Sequence, residues 1–296
     1  MTILIALAVI FLFRLSYPLP GRIYRFAGVP GSSGYNSDNI QATAATLNIP
    51  TGVRVDNRNN VVYISDYNNN RVRVVDCNTT IIKTLAGTTS GFVDNVSPSA
   101  SKLSQPMDTV IDPLTQQIYI SDSANNRIRV INKTSNTIKT IAGSGSTSYT
   151  QNVLGTTSGI NLPGGIAMDS RNNRLYISEY NTYRILYVSL EDGYIHTLAG
   201  SANGFDGDGG LAVNAKLINP MCITVDESRN MAYFCDTGNN RVRSVNLSTG
   251  IIQTIVGTGS TAYNGNNIPA SSVNLNSCKG LAINVPENVF TIDRFE

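Results

Sequence analysis

Residues 51–87 read TGVRVDNRNNVVYISDYNNNRVRVVDCNTTIIKTLAG. Val, Ile and Tyr concentrate in four short runs, 52–56 (a), 61–66 (b), 71–76 (c) and 81–87 (d), while Asn, Asp, Arg and Thr fill the gaps. β-branched and aromatic residues suit a pleated, half-buried surface, and Asn and Asp suit turns. The pattern therefore predicts four short strands joined by tight turns.

The pattern returns down the chain. Run b ends in an acid at Asp66, Asp122, Glu179, Asp236 and Asp293, at intervals of 56, 57, 57 and 57 residues. Run a is introduced by Pro50, Pro106, Pro163 and Pro220, and run d recurs as IKTIAG, IHTLAG and IQTIVG, ending at Gly143, Gly200 and Gly257. A repeat of roughly 40–60 residues with four strands per unit marks a propeller blade, and no segment sustains a helical period. One twisted sheet cannot bury both of its faces, so neighbouring blades must pack face to face around an axis. The register of Tyr63, Tyr119, Tyr176, Tyr233 and Phe290, flanked by Ile64, Ile120, Ile177 and Phe234, is accordingly expected in the core. The expected fold is all-β: a β-propeller of four-stranded antiparallel blades, complete at 51–87, 107–143, 164–200 and 221–257, with partial blades at 21–28 and 279–296. Five or six blades follow, with the two ends sharing a blade or the array cut short at Glu296.

Of 296 residues, 41% are apolar and 14% charged, enough to bury a core and too little charge for a disordered chain. A net charge of +2 offers no pull on a polyanion. Residues 1–13 (MTILIALAVIFLF) are apolar, followed by Arg14, Ser16, Pro18 and Pro20. The run is short for a membrane span, which needs about 20 apolar residues, so 1–20 is expected to be a signal peptide, with an uncleaved anchor or a misassigned start as alternatives. The chain is thus expected to be secreted or membrane-anchored outside the cell, meeting a membrane only through this segment. The sequons at Asn78, Asn95, Asn132 and Asn246 would be glycan acceptors on that route. Cys77, Cys222, Cys235 and Cys278 are too few for a disulfide scaffold and lack metal-ligand spacing, so free thiols are preferred to a disulfide.

Taken together, P-x-G-[IV]-x-[VM]-D, [VL]-Y-I-[SA]-D, N-N-R-[IV]-R-x-[VI] and I-x-T-[IL]-A-G resemble the NHL repeat, and the resemblance covers nearly all of 21–293. The connection at 204–220 (GFDGDGGLAVNAKLINP) is similar to the Gly-aromatic, Gly-Asp-Gly, Ala-x-Leu-x-x-Pro linker of NHL arrays. The resemblance implies a non-catalytic, monomeric scaffold binding a protein or extracellular ligand through its loop face. A calcium-dependent lactonase-like enzyme with a tunnel site is one alternative, and an intracellular RNA- or protein-recognition module is another.

Candidate residues follow the repeat. The b-to-c turns carry an acid and, five residues on, Arg71, Arg127, Arg184 or Arg241, which would set opposite charges across each turn. Asn in these turns suits the left-handed conformation a tight turn demands. The long d-to-a connections carry Tyr35, Phe92, Tyr149, Phe205 and Tyr263, expected either to plug the loop onto the blade edge or to form a binding rim. Arg73, Arg129 and Arg243 add a second basic position, but nearby acids and the small net charge argue against a phosphate-tracking surface, so nucleic acid is not an expected partner. Residues 206–209 (DGDG) start like a calcium loop but lack its later ligands, and Asp108 and Asn284 are tunnel carboxylate and amide candidates with no supporting spacing. His196, the one histidine, falls in the strand-d register of Lys83, Lys139 and Gln253, which excludes a multi-histidine zinc site and argues against a Ser-His-Asp triad. No cofactor or catalytic residue is expected.

Overall fold

The structure, a computed structural model, describes residues 24–265, 267–284 and 289–294. Strands a to d of blade I are Pro50–Asp56, Val61–Asp66, Arg71–Asp76 and Ile81–Ala86, and those of blade II are Pro106–Ile111, Ile118–Asp122, Arg127–Asn132 and Thr137–Ala142. Blade III comprises Pro163–Asp169, Arg174–Glu179, Ile185–Ser189 and Tyr194–Ala199, and blade IV Pro220–Asp226, Met231–Asp236, Arg241–Asn246 and Ile252–Val256. Each blade is an antiparallel sheet in the order a-b-c-d. Cys278–Asn284 and Val289–Arg294 add strands a and b of a fifth. Successive a strands pack against one another in chain order, so they are innermost. The protein is a β-propeller.

The core lies between blades rather than within them. Tyr63 and Val72 of blade I pack with Ile118 and Ile120 of blade II. Val110 and Tyr119 of blade II pack with Ile166, Leu175 and Ile177 of blade III, and Ala167 and Tyr176 of blade III with Ile223 and Phe234 of blade IV. All four tyrosines of the b register, Tyr63, Tyr119, Tyr176 and Tyr233, are buried as expected. Each buried ring removes apolar area from water at roughly 25 cal/mol per Å2, and it does so only when the next blade is present.

Asn fulfils its turn role. Asn70, Asn126 and Asn240 close the b-to-c turns with φ of 55°, 53° and 53°, a left-handed conformation that Asn tolerates through local hydrogen bonding. The d-to-a connections do more than link blades. Before entering strand a, the first lays Ile40–Gln41 along strand d of the blade it is about to enter, and the third does the same with Val153–Leu154. Val96 and Leu211 make single bridges to Ile138 and Ile251 at the corresponding places. Every complete blade thereby has backbone paired to its outer strand, which would otherwise offer open amides to another chain.

Three expectations need correction. In blade V, Leu281 pairs with Ile292, Ala282 with Thr291 and Cys278 with Arg294. Thr291 therefore stands where Tyr63 stands opposite Arg54, and Arg294 where Asp66 stands opposite Pro50. Phe290 and Asp293 do not continue the tyrosine and acid series, because Cys278 takes the proline register one residue later than the 57-residue spacing puts it, and a one-residue slip changes the register of every later residue. Secondly, residues 24–28 form no strand. Gly28 nonetheless donates to Ala42 O (2.9 Å), as Gly143 does to Gly155 O and Gly257 to Ala270 O, so this glycine holds the place of a blade-closing one. Residues 21–23 and the leader 1–20 lie outside the described residues. Thirdly, Cys235 and Cys278 form a disulfide, their Cα atoms 5.7 Å apart, because the end of strand b in blade IV meets the start of strand a in blade V. Cys77 and Cys222 are free.

Gly87 closes blade I at φ +88°, and a Cβ there would press into the Asn70 carbonyl. Left-handed strain and this backbone clash together predict that Gly87→Ala costs about 2–4 kcal/mol, read as a lower urea midpoint with an unchanged slope.

Candidate functional site

The acid that ends strand b, the turn that follows it and the connection arriving from the preceding blade form one unit, repeated in blades I, II and IV. Asp66 is wholly buried; one oxygen accepts from Asn48 N (2.8 Å) in the incoming connection and the other from Asn69 Nδ2 (2.8 Å) in the turn. Asp122 does the same with Ser104 N and Asn125 Nδ2, and Asp236 with Ile218 N and Asn239 Nδ2. The amides of Asn69, Asn125 and Asn239 also donate to Gly34, Gly91 and Gly204 carbonyls, further back in each connection.

Into this cage comes the second arginine of strand c. Arg73, Arg129 and Arg243 have no solvent exposure at all. Each lies between two carboxylates, one from strand b and one from the connection: Arg73 between Asp66 (3.5 Å) and Asp38 (2.9 Å), Arg129 between Asp122 (3.0 Å) and Asp94 (2.6 Å), Arg243 between Asp236 (3.7 Å) and Asp208 (2.6 Å). Burial pushes the Asp66, Asp122 and Asp236 carboxyls up, Asp236 to about 6, while N–H donors and the guanidinium pull them back. The five residue spacing that suggested a charge pair across the turn is therefore misread in these blades: the acid meets the arginine seven residues on. Arg71 instead donates to Asn69 O, Arg127 to Asn125 O and Arg241 to Asn239 O.

The first arginines and the loop aromatics meet each other. Arg71 stacks over Tyr35 at 4.0 Å, Arg127 over Phe92 at 3.9 Å, Arg184 over Tyr149 at 4.5 Å and Arg241 over Phe205 at 3.8 Å. The buried arginine lies under the same ring in three of these, at 5.0, 4.8 and 5.1 Å. Two sets of candidates that the sequence held apart are thus one set of cation–π pairs fixing each connection to its blade. Among the described residues no arginine stacks on Tyr263. The following Asn completes the seam: Asn70, Asn126 and Asn240 Oδ1 accept from the backbone N–H of Gln105, Leu162 and Ser277, each just ahead of the next strand a.

Blade III departs from the pattern, and all its changes compensate one another. Leu186 replaces the buried arginine and Gln151 the acid of the connection. The strand-b acid is Glu179, long enough to reach Arg184 at 2.6 Å while still accepting from Asn161 N. Repeat comparison could have exposed this covariation.

The other candidates have structural occupations. Asp208 is the connection acid of blade IV, which explains the calcium-loop look of 206–209. Asp108, half-buried and with its carboxyl pushed up by desolvation, accepts from Thr109 N and Ile166 N and pairs with Arg54 at 3.5 Å. The side chain of Asn284 lies outside the described residues. His196 sits on the outer strand as its register predicted, stacked on Tyr187 at 4.9 Å and hydrogen-bonded to Asn152, half-buried rather than exposed. Asn78 and Asn95 are exposed, whereas Asn132 and Asn246 accept from backbone N–H groups of their own c-to-d turns. Asn95 donates its N–H to Ile138 O, at the c-to-d end of blade II. It therefore lies with the other three sequons rather than on the loop face, because its connection crosses the blade edge. A cleft of about 290 Å3 lies between Asp56–Arg58 of blade I and Ile111, Pro113 and Gln116 of blade II.

Family models agree with this architecture. The model described as NHL repeat matches residues 47–75, and the one described as Teneurin NHL domain matches 165–293. The chain belongs to the NHL-repeat family. It is similar to human NHL repeat-containing protein 2, at 26% identity over 256 residues covering 77% of this chain and 34% of that protein. Mouse Teneurin-4 is 28% identical over 246 residues, covering 73% of the chain and 8% of its own length. This NHL propeller thus spans about a third of the first of these relatives. Among solved structures, a catalytically inactive virginiamycin B lyase from Staphylococcus aureus with quinupristin superposes with a TM-score of 0.50 at 18% identity, over 82% of this chain and 62% of that one. That likeness is one of fold.

The compensation in blade III makes a test. Arg129→Leu leaves Asp122 buried without its cation and is expected to cost about 3–5 kcal/mol. Adding Asp94→Gln and Asp122→Glu, the blade III arrangement, should recover at least half of that loss in the same urea titration.

Proposed function

We propose that this NHL propeller is a non-catalytic scaffold that binds a protein or extracellular ligand through its loop face, as a monomer exported or tethered by residues 1–20. One observation carries the reading. Tyr35, Phe92 and Phe205 keep 40%, 42% and 42% of their surface exposed while their other face is held on an arginine. Rigid aromatic rings backed by arginine are the residue types that concentrate binding energy in protein interfaces, and a ring already fixed loses little entropy when a partner covers it. NHL propellers generally mediate protein interaction, in keeping with such a rim. The sequons gather towards the c-to-d turns, so glycans at Asn78 and Asn95 would leave the rim clear.

Binding is tested with the purified full chain as bait against an extracellular extract of its source. Phe92→Leu with Phe205→Leu should lower capture of a specific prey by about tenfold or more while the melting temperature stays within a few degrees. Undiminished capture, or an equal loss from Lys83→Glu on an outer strand, would sink the loop-face reading. Catalysis that disappears in Asp108→Asn would overturn the non-catalytic part.

Export has its own measurement. Expression in a secretory host should release a chain whose mass lacks the leader and whose Asn78 and Asn95 carry enzymatically removable glycans. An intact leader in a cytosolic product would contradict this.

A further inference from the structure

Three cysteines gather at the junction of blades IV and V. Cys222 lies on strand a of blade IV, Cys235 on the neighbouring strand b and Cys278 at the head of strand a of blade V. Their sulfurs all lie within 4.8 Å of one another, with Cys235 and Cys278 fully buried and Cys222 partly buried. The repeat does not ask for them. At the register of Cys222 the other blades have Gly52, Asp108 and Gly165; at that of Cys235 they have Ser65, Ser121 and Ser178; at that of Cys278 they have prolines. Three unrelated positions have become cysteine at the one seam where they meet. The disulfide accounts for Cys235 and Cys278 but leaves Cys222 without a part.

We propose that in the reduced protein Cys222, Cys235 and Cys278 form a three-thiolate site for a soft d10 cation, with Zn2+ the best match. A dithiol reductant would supply the two electrons and two protons that convert the Cys235–Cys278 disulfide into two thiols, itself becoming a disulfide. Binding the cation then releases the three thiol protons. Thiolates around zinc sit at about 2.3 Å and hence roughly 3.8 Å from each other; Cys222 already lies within 4.8 Å of both partners, and the Cys235 and Cys278 sulfurs, about 2.05 Å apart while bonded, must part by roughly 2 Å once reduced. A divalent ion leaves one net negative charge in the buried site, against two for Cu+, which favours Zn2+. The site is independent of the binding role of the loop face but not of export, since in an oxidising compartment Cys235–Cys278 stays a disulfide and the site forms only after its reduction.

Cobalt(II) serves as the spectroscopic probe, and the full chain is reduced and titrated without oxygen. One Co2+ per chain is expected, with a near-ultraviolet sulfur-to-cobalt band, displaced by Zn2+. Cys222→Ser should weaken binding at least about tenfold, while the oxidised variant and the oxidised wild type, both retaining the disulfide, melt alike. Cys77→Ser, remote from the cluster, should change nothing. No stoichiometric binding by the reduced wild type, equal affinity in Cys222→Ser, or loss of near-ultraviolet circular dichroism on reduction that the metal does not restore would each overturn the site.

Discussion

A guanidinium with no access to water, held between two carboxylates from different parts of the chain, is the constraint on which blades I, II and IV depend. A buried cation is tolerable only if its charge is met, and here both acids and a loop carbonyl must be in place together, while the Nε donors of Arg73, Arg129 and Arg243 find no hydrogen-bond partner. Ser37, Val93 and Asp206 supply those carbonyls to Arg73, Arg129 and Arg243. A connection placed wrongly by a few ångströms would leave the arginine uncompensated, so the ion cage selects one path for a segment that contains little regular structure. Ring stacking then fixes the outer part of the same path, and blade III reaches an equivalent path with a shorter list of charges.

The fold was legible in the sequence because it is repeated. One segment of alternating Val, Ile and Tyr says little, but five copies at near-constant spacing leave few architectures that could use them. Tyr63 and its counterparts could be assigned to the core because an apolar ring at the same place in every unit must face the next unit. The limits were equally physical. A period counts residues along the chain and is blind to a strand that starts one residue late, which is how Phe290 and Asp293 were misplaced. Nor does spacing along one strand show what approaches it from another element, so Asp66 was matched with Arg71 although Asp38 and Tyr35 complete the cage around Arg73.

The candidate site shows the same division. Both residue types at the rim were identified from the sequence, as separate series; their contact depends on the connection folding back over the blade it enters. The cysteine cluster is a stronger case. Cys222, Cys235 and Cys278 look unrelated along the chain because two belong to one blade and the third to its neighbour, and only the superposition of registers shows that each replaces a different residue of the repeat.

The connections also define where one module ends and the next begins. Each leaves a blade at its closing glycine and commits its edge strand, its acid and its aromatic to the blade it is about to enter, so a complete inheritable unit runs from 88 to 143 or from 144 to 200 rather than from one strand a to the next. Duplication or recombination with seams just after Gly87, Gly143 and Gly200 carries every partner of the ion cage in one piece. Seams at the prolines would split them. The array therefore has a direction: damage to a connection is felt in the blade downstream of it, while the blade upstream keeps its cage and its stacked ring.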